Sequence, residues 1–159
     1  MDIPMPRLGE LLKPESVVYR LKGETRKEIL ANMAETAAAT YGADKTLILE
    51  NALARESLGG TGVGEGVAVP HARIKDLPNS VGVFALLETP NDFEAPDGKP
   101  ADLVFLLLSP EDSGASHLKA LAKITRVLRQ PALRASLRAA RSAEALFAVL
   151  TEVEREQVA

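Results

Sequence analysis

Residues 81–87 (Val-Gly-Val-Phe-Ala-Leu-Leu) and 103–108 (Leu-Val-Phe-Leu-Leu-Leu) are apolar with almost no polar interruption. A strand with one wet face alternates apolar and polar residues, so runs this continuous imply strands covered on both faces. The cover is found on either side of them in the chain. Upstream, Thr25 and Glu28 form a Thr-x-x-Glu capping box, and Ile29, Leu30, Met33, Ala34 and Ala37 follow at helical spacing as far as Gly42. Asp44 reads as the N-cap of a second helix carrying Leu47, Ile48, Leu49, Ala52 and Leu53, which ends at Gly59-Gly60. Downstream, Leu118, Leu121, Ala122, Thr125 and Leu128 define one helical face, and Leu146, Val149, Leu150 and Val153 another. Pro131, with Leu133 and Leu137, predicts a short helix between them. Val17, Val18, Tyr19 and Leu21 add a short strand. Pro4, Pro6 and Pro14 mark an irregular lead-in around one helical turn, Leu8 to Leu12. Asp97-Gly98 is a hairpin signal, so a short strand near Phe93 is expected to fold back antiparallel. The predicted class is α/β, a small mixed β-sheet sandwiched by helices.

Bulk properties narrow the function. The chain has 159 residues, which predicts one domain over 1–159 with its core at about 8–153. At 46% hydrophobic and 26% charged residues it has an ordinary folded composition, with core enough to need no staple. Nineteen Lys and Arg against 22 Asp and Glu leave a net charge of −3, which argues against a nucleic-acid module. The absence of cysteine removes disulfides, thiolate metal sites and cysteine nucleophiles, and two histidines cannot build a multi-histidine metal site. The longest apolar run, Leu103 to Leu108, is far below the roughly 20 residues of a membrane helix. Met1 to Lys13 has no charged start followed by an apolar stretch, so no signal peptide is expected and the expected location is cytoplasmic.

The densest feature is GTGVGEGVAVPHAR, residues 60–73, which holds four of the chain's 11 glycines and one of its histidines. It does not match a dinucleotide loop, because Glu65 and Val67 stand where the G-x-G-x-x-G spacing needs glycine. No lysine follows any of these loop glycines as a phosphate-binding Walker loop requires, and no G-x-S-x-G elbow occurs. Glycines alone would describe a surface loop. His71 adds chemistry: Val67-Ala68-Val69 reads as a short buried strand, and Pro70 stiffens the chain just before an imidazole that could act as a nucleophile. His117 follows Ser113-Gly114-Ala115-Ser116 at a helix start. There it is either an exposed first-turn residue or part of an anion site at the helix N-terminus. Arg55, late in the second helix, is either a solvated helical arginine or a phosphate clamp. Together the three residues describe a phosphoryl site, with an imidazole nucleophile, a guanidinium and a second imidazole.

These segments carry a resemblance. Arg55-Glu56-Ser57-Leu58-Gly59, the T-G-x-G-x-G-x-A-x-P-H run from Thr61 to His71, Gly82-Val83-Phe84 and Leu87-Glu88-Thr89-Pro90 resemble the EIIA domain of the fructose/mannitol class. That class belongs to the bacterial phosphoenolpyruvate-dependent phosphotransferase system, and the likeness is greatest to its free-standing nitrogen-regulatory branch, over about residues 8–151. The resemblance implies a phosphocarrier that accepts a phosphoryl group on His71, through Nε2, from an HPr-type histidine phosphocarrier protein. It implies that Arg55, His117 and backbone amides near Thr61 and Gly62 bind the dianion, with no metal or organic cofactor. It further implies regulated target proteins, such as sensor kinases or transporters, with no nucleic acid and no membrane insertion. A sugar-specific EIIA serving an EIIB domain and a non-catalytic anion-binding module are the rival readings. Two positions depart from the pattern. Ala72 stands where many relatives have glycine, so the backbone there must tolerate a side chain. Glu65 brings a carboxylate into the loop and is expected to point into solvent.

Overall fold

The computed structural model describes residues 8–158, with side chains through residue 152. Pro4, Pro6 and the side chain of Val153 lie outside the described residues. A single helical turn, α1 (Leu8–Leu11), and a 3-10 turn (Pro14–Ser16) lead into β1 (Val17–Leu21). Two helices follow, α2 (Arg26–Tyr41) and α3 (Lys45–Ser57), and then three short strands, β2 (Gly62–Gly64), β3 (Val67–Ala68) and β4 (His71–Ile74). The long strands β5 (Val81–Asn91) and β6 (Ala101–Pro110) precede α4 (Ala115–Leu128), α5 (Pro131–Ala139) and α6 (Ala143–Val158).

The sheet runs β1-β5-β6-β3-β2, and β4 lies beside β6 as well. β5 and β6 are antiparallel, β1 is parallel to β5, and β3 and β4 are parallel to β6. The sheet is therefore mixed, as expected. β3 and β4 follow one another along the same edge of β6, joined through Val69 and Pro70, whose carbonyl accepts from Leu107 N–H at 2.9 Å.

The apolar runs serve two cores at once. Phe84, Leu86, Leu103, Phe105 and Leu107 point to one face, against Ile124, Leu137, Leu146 and Leu150 of α4, α5 and α6. Val83, Ala85, Leu87, Val104, Leu106 and Leu108 point to the other, against Ile29, Met33 and Ile48 of α2 and α3. Strand side chains alternate with period two, so each run must be apolar at every position to fill both. The result is a three-layer α/β/α sandwich. Among the described residues no helix is long and apolar enough to cross a membrane.

Three expectations change. No strand forms near Phe93: the antiparallel partner of β6 is β5 itself, which runs on to Asn91. Phe93 instead buries its ring completely, and Asp97-Gly98 closes a turn in which Gly98 N–H donates to Ala95 C=O at 3.0 Å. The capping box is half as drawn: Thr25 Oγ1 accepts from Glu28 N–H at 3.1 Å, but the Glu28 carboxylate reaches Glu24 N–H at 2.8 Å. On α4 the dry face is His117, Ala120, Ile124, Val127 and Leu128, with Leu118 63% exposed. That face is rotated from the predicted one because a histidine occupies a core position.

Candidate phosphoryl site

The glycine loop is shaped by close approach. A side chain at Gly60 would stand 2.2 Å from the Phe93 carbonyl oxygen, and one at Gly66 (φ +79°) 2.3 Å from Arg138 Nη2. The Phe93 backbone requires glycine at position 60, and the left-handed backbone favours it at 66. Arg138 pairs with Asp102 Oδ1 at 2.9 Å and donates to the Glu65 carbonyl at 2.9 Å, tying the loop to α5. Glu65 (φ 57°) carries its side chain toward Lys99 at 3.7 Å and Arg134 at 3.9 Å. It does not line the pocket around His71, so its carboxylate is clear of that ring but meets cations rather than bare solvent.

Past the loop the chain enters β3, turns at Val69-Pro70 and begins β4 at His71. His71 is thus the first residue of a strand, where the sequence suggested only a stiff strand end. Among the described residues β4 pairs with β6 alone, at the sheet edge, so side chains from both helical layers can reach its first residue. Ala72 and Ile74 face α2 and α3. His71 and Arg73, alternating with them, face the layer of α4. The β4 backbone takes up the Ala72 side chain in regular strand geometry, 5% exposed.

Around His71 lies an open pocket of about 450 Å³, lined by Asn51, Ala54, Arg55, Leu58, Ala72, Arg73, His117, Leu118 and Leu121. His71 Nδ1 lies 3.0 Å from the Val69 carbonyl oxygen, which can only accept, so Nδ1 carries the proton. His71 Nε2 is then the lone pair, and it accepts from Arg55 Nε–H at 3.1 Å. Arg55 Nη1 donates to the Gly59 carbonyl at 2.7 Å, which holds the guanidinium across the end of α3. The His117 ring lies 5.4 Å from that of His71, tilted by 56°. It is 3% exposed, with Nδ1 at 2.6 Å from Ser109 Oγ. Burial, ahead of the nearby Arg55 guanidinium, lowers the His71 pKa against the effect of the Val69 carbonyl. Burial first, then the His71 ring and Arg73, pushes His117 down to about 4. Both rings are neutral at physiological pH.

Arg55, His71 and His117 therefore converge from three elements, α3, β4 and α4. Thr61 and Gly62 do not join them. The Gly62 amide donates to the Phe93 carbonyl at 2.9 Å, and the buried Thr61 hydroxyl donates to Glu56. The Gly62 amide and the Thr61 hydroxyl are thus spent on holding the loop, and neither residue lines the pocket around His71. Glu56, 5% exposed, is tied on its other side to Arg26 at 3.0 Å and buries a paired carboxylate directly after Arg55. Sequence reasoning passed over Glu56, Arg73 and Ser109. Position two past His71 on one strand would have found Arg73, and a serine ending an apolar run would have found Ser109. Among the described residues no group of three or more His, Asp or Glu side chains could hold a metal ion.

Residues 10–153 match the family model described as the phosphoenolpyruvate-dependent sugar phosphotransferase system, EIIA 2. The chain belongs to this family. Its members are phosphotransfer components. A nitrogen regulatory protein of Bradyrhizobium diazoefficiens is 47% identical over 143 residues, covering 90% of this chain and 94% of that protein. A nitrogen regulatory protein of Pseudomonas aeruginosa is 37% identical over 154 residues, 96% of this chain and all of that protein. The crystal structure of nitrogen regulatory protein IIA-Ntr from Neisseria meningitidis superposes with a TM-score of 0.81 at 35% identity, covering 90% of this chain and 98% of that one. Mannitol IIA from Escherichia coli shares the fold, with a TM-score of 0.71 at 21% identity over 85% and 96% of the two chains. The EIIA fold expected from the resemblance is the fold observed, and these similar sequences are nitrogen regulatory proteins.

Proposed function

We propose that the chain acts as one EIIA-type domain in the cytoplasm, carries a phosphoryl group on His71 Nε2, and regulates target proteins by its phosphorylation state. The observation that supports this most directly is the orientation of His71. Its proton is committed to the Val69 carbonyl, and its lone pair faces an open pocket beside a guanidinium. The donor is an HPr-type phosphohistidine protein. His71 Nε2 attacks phosphorus, the donor's P–N bond breaks, and its electron pair returns to the donor imidazole. The cation that forms on the His71 ring is held by its Nδ1–H on the Val69 carbonyl. As the new P–N bond forms, Arg55 keeps its proton and turns the N–H that it had donated to His71 Nε2 onto a phosphoryl oxygen, with His117 on the far side of the group. Charge stabilisation of this kind is most of what phosphoryl transfer needs.

The pocket rim supports a docking role. Leu58 is 84% exposed and Leu118 63%, an apolar margin on either side of His71. A phosphoryl group there adds about −1.5 to −2 charges. A partner packed on the bare rim meets an unpaired dianion, which costs several kcal/mol, so binding switches without refolding.

Incubation with phosphoenolpyruvate, the general phosphotransferase kinase and an HPr-type donor should add one acid-labile phosphoryl group. His71→Ala should abolish it, and Arg55→Ala should slow it on the order of 10²-fold. Label persisting in His71→Ala would overturn the assignment, and full-speed labelling of Arg55→Ala would return that arginine to the solvent. Partners retained from lysate by the bare protein should be lost by His71→Asp. Restored fructose or mannitol uptake in cells lacking their own EIIA would favour sugar transport instead.

A further inference from the structure

We propose that Ser109 is a positioning residue that fixes His117 as its Nε2–H tautomer, so that the site pairs one imidazole offering a lone pair with one offering a proton. The proposal rests on the reading of His71 as the phosphoryl acceptor.

Ser109 interrupts the run Leu103 to Leu108 with a hydroxyl that is fully buried. A buried hydroxyl must find partners, and it has two. His117 Nδ1 lies 2.6 Å from its oxygen, and Ser80 Oγ donates to that oxygen from 3.3 Å. Ser80 is only half-buried, so water can satisfy the rest of its hydroxyl and its proton can be turned inward. Ser80 fills one of the two lone pairs of Ser109, and among the described residues the acceptor left in reach of the Ser109 proton is His117 Nδ1, which takes it. A neutral imidazole that accepts at Nδ1 carries its proton at Nε2.

Strand register places this device. Arg73 on β4 pairs with Ser109 on β6, just as His71 pairs with Leu107 two residues earlier. Paired residues of neighbouring strands share a face, so Ser109 opens toward α4 and the His71 side of the site. His117 comes down on it from the first turn of α4. Because burial keeps His117 neutral, its tautomer alone decides whether it offers the phosphoryl oxygens a donor or a repelling lone pair. The opposite tautomer would face an arriving dianion with an acceptor.

The test is imidazole ¹⁵N spectroscopy on the full chain, alongside the labelling assay. In the wild type, His117 Nε2 should show the shift of a protonated ring nitrogen and Nδ1 that of a bare one. Ser109→Ala should collapse this difference toward a tautomer mixture and slow labelling of His71 on the order of tenfold, the loss of one directed hydrogen bond. Ser109→Thr, which keeps the hydroxyl, should restore both. A wild-type His117 protonated at Nδ1 overturns the proposal, and that reading requires no variant to fold. A Ser109→Ala protein with an unchanged His117 signature, or with slow labelling that Ser109→Thr does not rescue, overturns it equally. Failure of the wild type to accept label would instead overturn the phosphoryl reading, because the tautomer spectrum needs no phosphate.

Discussion

The two helical layers grip one sheet by different means. α2 and α3 carry their own boundary signals: Thr25 caps Glu28 N–H, Asp44 caps Leu47 N–H at 3.2 Å, and Gly42 ends α2 in the left-handed region at φ 72°. Opposite them, α4 begins after Gly114 and α5 after Gln130, neither with a side-chain cap. Those two helices are fastened by distant partners, Arg138 to Asp102 and His117 to Ser109, while α6 beside them keeps a local cap, Ser142 Oγ accepting from Ala145 N–H at 3.0 Å. The same contrast reaches the site. α3 passes a charged side chain over the sheet edge into an open pocket, whereas α4 lowers a neutral ring into the core. Local signals reveal a helix and its phase; long-range ties reveal themselves only when the layers meet.

The largest effect should come from the phase of α4. Ile124→Ala removes fully buried methylenes and should cost roughly 2–5 kcal/mol in urea unfolding. Leu118→Ala, on the exposed side, should stay within about 0.5 kcal/mol. The reverse order would restore the face first drawn from the sequence.

A smaller effect should separate the layers by pH. The unfolded chain protonates His117 near the ordinary value of about 6.5, while the native state refuses that proton until about 4. Between those values the unfolded state binds more protons, so stability falls as pH falls, by at most about 1.4 kcal/mol per pH unit from this group. His117→Gln should show a flatter profile than wild type over pH 4–6.5. Parallel profiles would place the imidazole in water.

The smallest test compares the caps themselves. Thr25→Ala should cost about 1 kcal/mol, since a helix amide loses its partner. Gln130→Ala should cost next to nothing, because its side chain caps nothing. Equal costs at the two helix starts would end the contrast between layers.

Where neighbours in sequence set the structure, the sequence was readable. The unbroken apolar runs implied two-sided cover, and both cores exist. Thr25, Asp44 and Gly42 bounded α2 and α3 correctly because their partners lie three or four residues away. β2 and β4 were not read as strands, because Gly62 to Gly64 and the residues after Pro70 gain their order by pairing with β3 and β6. The α4 face was misphased because His117 looks polar until Ser109 is placed beneath it. In the site, His71, Arg55 and His117 were all legible and converge. Thr61 and Gly62 stay outside the pocket: glycine-rich loops suggest free amides, but the Gly62 amide is taken by Phe93, thirty-one residues on.

The neutrality of both imidazoles has a bearing on signalling. An exposed histidine changes charge across about pH 5.5–7.5, the range in which cell acidity drifts. A phosphorelay step built on such a ring would mix two messages, how much phosphoryl donor is present and how acid the cell has become. Burial lowers the His71 pKa and holds that of His117 down to about 4, so each ring takes up its proton at a lower pH than an exposed histidine would. On the phosphocarrier reading proposed above, that shift lets the site report donor supply with less interference from acid.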